Sequence, residues 1–149
     1  MSNDDNLRLE NQLCFRLYSL TKLMNRHYSP VLKTLGLTYS QYLVMLVLWE
    51  NNNTTSSISV KQLGEKLDLD SGTLSPLLKR LEKQALVSRI RNSIDERSVE
   101  IKLTNSGCQL KTQALGIPAQ MFSVTGMSLD ELQSLNNQLD SLLTTMKTK

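Results

Sequence analysis

The sequence predicts a mainly α chain with one small β-hairpin, an α+β arrangement. Three observations predict it. Apolar residues recur at steps of three and four in the first and last thirds of the chain. Two short helical patterns stand directly before residue 86. After them come Leu86–Arg91 and Val99–Leu103, two strand-like segments around a charged turn, the second alternating cleanly at period two.

A helical pattern begins at Leu7 and runs through Leu13, Leu17, Leu20, Met24, Tyr28, Val31 and Leu35. Pro30, which lacks a backbone donor, is expected to kink or interrupt it, and Gly36 to cap its end. Thr38 and Gln41 have capping-box spacing and open an apolar helix to about Asn51. Residues 52–57 read as a polar loop. Ser59 and Gln62 form a second box, for a helix over Val60–Leu67. The next helix ends at Gln84 and stacks Leu74, Leu77, Leu78 and Leu81 on one face. Proline is tolerated in a first turn, so Pro76 places the start near Thr73, within Asp70–Thr73. Helix, turn, helix and hairpin in this order outline a winged helix-turn-helix over residues 38–103. Thr104 starts a helix that stops near Gly116–Pro118. Ser128 and Glu131 form a third box, opening a helix striped by Leu132, Leu135, Leu139, Leu142 and Met146. The helical stretches 7–36 and 105–149 are long for one small lobe to cover. They are expected to form a dimerisation region, making the chain a homodimer.

Composition bounds the function. The 149 residues are 40% hydrophobic and 21% charged, with net charge +3, as in a folded, soluble, single domain spanning 1–149. Residues 51–102 carry nine basic and seven acidic side chains, so the small excess sits in the central lobe. The longest apolar run, Tyr42 to Trp49, is too short to span a bilayer, and the acidic, polar start is no signal peptide. Cys14 and Cys108 lack metal-site spacing. His27 is the only histidine, which argues against a histidine metal site or a Ser-His-Asp triad. No cofactor and no membrane partner are expected, and the cytoplasm is the expected location.

The central lobe has the chemistry of a double-stranded DNA reader. Lys79, Arg80, Lys83, Arg89, Arg91 and Arg97 fall in one short span. Ser71, Thr73 and Ser75 at a helix start can meet phosphates or base edges. A hairpin tipped by Arg97 suits a minor groove, where negative potential is focused. The bland alternative is an amphipathic helix pair with a solvated hairpin, and the order of elements favours DNA.

The stretch LDSGTLSPLLKRLEKQALV followed by IDERSV resembles the DNA-binding lobe of the MarR family of bacterial repressors. The resemblance implies that Arg97 enters the minor groove, that Asp95 braces it, and that the helix after Asp70 reads the major groove of a pseudo-palindromic operator.

The segment LENQLCFRLYSLTKLMNRHYSPVLKTLGLTYSQYLVMLVLW resembles the thiol-based organic-hydroperoxide repressors (OhrR) of that family, and the related MgrA and SarZ regulators. That implies a peroxide-sensing thiol at Cys14, phenolic partners at Tyr28 and Tyr39, and Tyr18 close by. Cys14 and Tyr28 are fourteen residues apart, about 21 Å along one continuous helix. Their contact therefore needs either a second chain or a sharp reversal near Pro30. A helix starting at Leu7 would leave Cys14 two turns in, beyond most of the dipole effect. The alternative for Cys14 alone is a small buried hydrophobe.

By the same resemblance, the resolving cysteine of some such repressors falls nearer Ser123 than Cys108. Cys108 then reads as a packing residue, and a small cellular thiol would cap the oxidised Cys14. The expected function is an operator-binding repressor released by an organic hydroperoxide, not an enzyme. The rivals are a regulator released by a small aromatic ligand and a thiol peroxidase. The second leaves the basic hairpin unexplained.

Overall fold

The computed structural model describes residues 2–51, 56–95 and 97–149. Among them it forms seven α-helices and a three-stranded sheet: α1 Leu13–Lys33, α2 Tyr39–Asn51, β1 Ser57–Ser59, α3 Val60–Leu67, α4 Ser71–Lys83, β2 Val87–Arg91, β3 Val99–Leu103, α5 Asn105–Ala114, α6 Ile117–Thr125 and α7 Leu129–Lys147. The chain divides into two compact units, one ending at Leu115 and the other spanning Gly116–Lys149. No helix among the described residues is long and apolar enough to cross a membrane.

Local chemistry sets most boundaries. Thr38 and Gln41 cap α2 reciprocally, at 2.9 and 3.3 Å. Ser59 with Gln62, and Ser128 with Glu131, do the same for α3 and α7. After α1, the N–H of Leu37 reaches back to the Leu32 carbonyl and that of Gly36 to Lys33, with Gly36 at φ 70°. That is the left-handed helix stop expected of Gly36.

Four expectations change. The first helix starts at Leu13, not Leu7, because two short 3-10 turns, Asp5–Leu7 and Leu9–Asn11, break the chain before it. It runs uninterrupted through Pro30. Proline removes only the bond to the Arg26 carbonyl, and fully buried Leu32 anchors the last turn. The helix α4 starts at Ser71, because the Asp70 carboxylate caps it by accepting the Thr73 N–H at 2.7 Å. Pro76 therefore sits in the second turn, where the buried face of Leu74, Leu77, Leu78 and Leu81 holds the helix. Each such leucine contributes roughly 1.5–3 kcal/mol by leaving water.

The fourth change is an addition. Ser57–Ser59 is a strand, not the end of a loop; residues 52–55 of that expected loop lie outside the described residues. It pairs with β3 (Ile58 opposite Ile101), giving the order β1-β3-β2 with every neighbour antiparallel. The helix opened by Thr104 ends at Ala114, close to Gly116–Pro118 as expected, and a further helix, α6, follows with Pro118 in its first turn.

The core of the first unit is built around α2, which is apolar nearly all round. Tyr42, Val44, Met45, Val47, Leu48 and Trp49 are buried, with Leu63, Leu74, Leu78, Leu81, Val87, Ile101 and Leu103. Polar clamps fix this core. Buried Gln41 donates to Gln84 at 3.1 Å, and Gln84 donates to the Gly36 carbonyl at 2.7 Å. The start of α2 is thereby tied to the ends of α1 and α4. The Trp49 indole N–H donates to the Gly107 carbonyl at 2.9 Å, joining α2 to α5.

Candidate sensor and nucleic-acid interface

Cys14 is the second residue of α1 and is exposed, with a free thiol. The helix N-cap, Gln12, gives no side-chain cap bond. Cys14 therefore lies in the first turn of the helix. This differs from the expectation of a thiol two turns in. Tyr18 follows one turn later on the same face, exposed, with the Lys22 ammonium 5.1 Å from its ring centre.

Tyr28 and Tyr39 do come together, with ring centres 4.9 Å apart. Buried Tyr42 supports both, at 5.8 Å from Tyr28 and 6.5 Å from Tyr39, and itself lies edge-on to Trp49. Burial, and then the neighbouring Tyr39, push the Tyr28 phenol above its ordinary range. Burial, then Tyr28 and Tyr39, do the same for Tyr42. Tyr28 therefore keeps its proton and remains a hydrogen-bond donor at neutral pH. What the chain does not do is bring this cluster to its own Cys14. With α1 unbroken, Cys14 and Tyr28 stand about 21 Å apart along the axis. Tyr42 carried no site assignment in the sequence; only its buried place between the two phenols gives it one. Cys108 lies half-buried in α5 with a free thiol.

In the lobe, the exposed face of α4 carries Lys79 and Arg80. Thr73 is committed to the cap: its N–H and its hydroxyl both serve Asp70, which holds that carboxyl below its usual range. Arg89 is bound to Glu82, through its guanidinium at 3.4 Å and its backbone N–H at 3.2 Å. Arg91 lines a recess of about 230 Å³ with Arg89 and Glu82.

The wing turn is held by Asn92, whose side chain accepts the Ile94 N–H at 2.8 Å. Asp95 accepts the backbone N–H of Arg97 at 3.1 Å. Asp95 therefore fixes Arg97 through the main chain, and the Arg97 guanidinium is exposed. Glu96 of this turn lies outside the described residues. Ser71, Ser75, Arg89 and Arg97 line one cleft of about 280 Å³ between α4 and the wing. The same cleft is lined by Lys61 and Ser98, which the sequence did not single out, because the fold alone brings them there.

Helix-turn-helix, three-stranded sheet and basic wing define a winged-helix transcriptional regulator. The family described as transcriptional regulator SarA/Rot matches residues 26–114. The organic hydroperoxide resistance transcriptional regulator of Bacillus subtilis is 46% identical over 97% of this chain and 96% of its own length. The regulator MgrA of Staphylococcus aureus is 38% identical over 96% of this chain and 94% of its own. The structure of reduced AbfR bound to DNA superposes with a TM-score of 0.74, at 37% identity over 96% of this chain and 97% of that one. The chain belongs to the MarR family of transcriptional regulators, within its organic-hydroperoxide group.

Proposed function

We propose that the chain is a homodimeric repressor that binds a pseudo-palindromic operator when reduced and releases it when an organic hydroperoxide oxidises Cys14. The observation that carries this reading is the separation on α1. An exposed thiol at one end of an unbroken helix and a phenol cluster at the other can meet only between two chains. Antiparallel α1 helices would place Cys14 of each chain against Tyr28 and Tyr39 of its partner.

Uncovered apolar residues support the dimer. Leu13, Phe15, Leu20, Leu23 and Met24 are exposed on α1, and Leu129, Leu135, Leu143 and Met146 on α7. The stretches 7–36 and 105–149 form the dimerisation region in this reading, and 38–103 the DNA-binding lobe. Ser71, Ser75, Lys79, Arg80, Arg89, Arg91 and Arg97 face the duplex, while Thr73 and Asp95 hold that surface in shape.

The chemistry needs no cofactor. The Cys14 thiolate attacks the terminal peroxide oxygen; an S–O bond forms, the O–O bond breaks, and the alkoxide leaves and takes a proton. Sulfur loses two electrons and becomes a sulfenic acid. A small cellular thiol then condenses with it, giving a mixed disulfide and water. Such a regulator works in the cytoplasm, beside the chromosome and the reducing thiol pool. A gel shift on the promoter next to its gene, with and without tert-butyl hydroperoxide, tests the reading. Retention of the reduced complex and its loss on oxidation are expected; a complex indifferent to the peroxide refutes the sensor.

A further inference from the structure

We infer that Gln84, at the C-cap of α4, is the residue through which the state of the phenol cluster reaches that helix, by way of Gln41. This rests on the hydroperoxide-release reading above and adds a route to it. The phenols and the lobe meet at the corner between α1 and α2. Tyr39 is the first residue of α2, and Thr38 caps it. Around that corner runs a closed set of bonds. The Thr38 N–H donates to the Gln41 amide oxygen at 2.9 Å, and the Thr38 hydroxyl accepts the Gln41 N–H at 3.3 Å. The Gln41 amide nitrogen donates to the Gln84 amide oxygen at 3.1 Å. The Gln84 amide nitrogen donates to the Gly36 carbonyl at 2.7 Å. Each amide accepts with its oxygen and donates with its nitrogen, so turning either one over breaks two bonds.

Both ends of this link suit transmission. Gln41 is buried, and an amide left unpaired in a dry site is costly, so it keeps its partner when α2 shifts. Tyr39 and Tyr42, in the same turn as Gln41, are the rings packed against Tyr28, at 4.9 and 5.8 Å. A movement of the phenols at the thiol is thus a movement of the first turn of α2. At the other end, α4 does not fray to absorb the pull. The Ala85 N–H closes on the Glu82 carbonyl and the Leu86 N–H on that of Leu81. Leu74, Leu77, Leu78 and Leu81 are buried along the helix, so it moves as a body. Its 13 residues span about 20 Å, and a tilt set at Gln84 is carried along that length to Ser71. Two such helices, tilted in one dimer, no longer match the spacing of two half-sites.

The test reads oxidation and binding separately, on the full chain. Sulfenate trapping gives the rate at which Cys14 is oxidised by tert-butyl hydroperoxide. Fluorescence anisotropy on the promoter next to its gene gives the affinity before and after treatment with that peroxide and free cysteine. Gln84→Met keeps the length of the side chain and removes both of its bonds. It should oxidise at the wild-type rate and bind the promoter nearly as tightly when reduced, yet stay bound when oxidised. The ratio of reduced to oxidised affinity, roughly 5–150-fold for a coupling of ordinary size, should fall close to one. Gln41→Met should do the same, and both changes together no more than either alone, because they cut one route. A purely structural role would lower the melting temperature or the reduced affinity and leave the ratio where it was. Gln84 is exposed, so Gln84→Met and Gln84→Ala carry the test even where the buried Gln41→Met does not fold. An undiminished ratio in both Gln84 variants, or a Cys14 that oxidises more slowly in them, overturns the inference alone. Wild-type protein that stays bound after the peroxide overturns the sensor reading with it.

Discussion

Cys14 and Tyr28 occupy opposite ends of one unbroken helix, at its second and sixteenth residues, about 21 Å apart along the axis. No rotamer closes that gap, so phenols that serve the thiol must come from another chain. A heterodimer tests this. One chain carries Cys14→Ser, the other Tyr28→Phe with Tyr39→Phe. Its one remaining Cys14 belongs to the tyrosine-deficient chain and faces the partner's intact phenols. It should react with tert-butyl hydroperoxide at the wild-type rate, read by sulfenate trapping. A rate as slow as that of the double-tyrosine homodimer would place the phenols within the same chain.

The two thiols should behave differently. Serine at position 14 nearly matches cysteine in size and is exposed, so Cys14→Ser should keep fold, dimer and operator binding. Release by hydroperoxide should vanish, because a hydroxyl forms no sulfenate. Cys108 is half-buried in α5, and Cys108→Ser should still release DNA on oxidation. Gel shifts with both variants decide the matter; a Cys108→Ser protein deaf to peroxide would make that residue a redox partner.

What the sequence showed plainly was whatever chemistry is local. Three capping boxes, the Gly36 stop and the two hairpin strands were legible because each is written within a few residues. The start of α1 was not, since Leu7 and Leu9 continue its apolar rhythm although the backbone turns between them. Nor was β1: three residues, Ser57–Ser59, carry no periodicity, and only pairing with β3 makes them a strand. The helix α6 was not legible either: Gly116–Pro118 marks the end of α5, and the same proline opens the next helix. At the site, Cys14, Tyr28 and Tyr39 stood out by motif, whereas Tyr42 and Lys61 acquire meaning only from neighbours distant in the chain.

The wing gives a prediction that separates two routes to Arg97. Arg97→Ala should weaken operator binding by about 1–3 kcal/mol if its guanidinium makes a groove contact. Asp95 acts through the Arg97 backbone N–H at 3.1 Å. Asp95→Ala removes that acceptor and should weaken binding, whereas Asp95→Asn keeps an oxygen in place and should bind nearly as the wild type. Equal losses in the alanine and asparagine variants would mean that the charge matters, not the turn.

Alkaline titration should report the phenol cluster. The raised Tyr28 and Tyr42 phenols hold their protons in the folded chain beyond the point where the unfolded chain, at an ordinary 10.0, gives them up. Their contribution to stability is therefore fully present below about pH 10 and is lost as pH climbs past it. Melting temperature should fall above that pH, and fall less steeply in Tyr28→Phe. Parallel curves for the two proteins would show that this phenol does not couple to folding.

The last prediction concerns the joint behind α4. The Ala85 N–H reaches the Glu82 carbonyl and that of Leu86 reaches Leu81, a left-handed stop with alanine, at φ 60°, where glycine is at ease. Ala85→Gly removes the Cβ clash and should stabilise the chain by about 1 kcal/mol. Gly107 faces the opposite constraint. A Cβ built there would lie 2.1 Å from the Leu86 carbonyl oxygen, which is backbone and also accepts the Thr104 N–H at 3.1 Å. Gly107→Ala must push the start of α5 away from that joint and strain the Trp49 bond to the Gly107 carbonyl. A loss of about 3 kcal/mol, the upper end for overpacking, is expected. Urea unfolding followed by the fluorescence of Trp49, the single tryptophan, reads both. A midpoint that rises for Ala85→Gly and falls for Gly107→Ala is the expected pair; no fall in the second would mean that α5 docks more loosely on the Leu86 joint than the close approach of Gly107 requires.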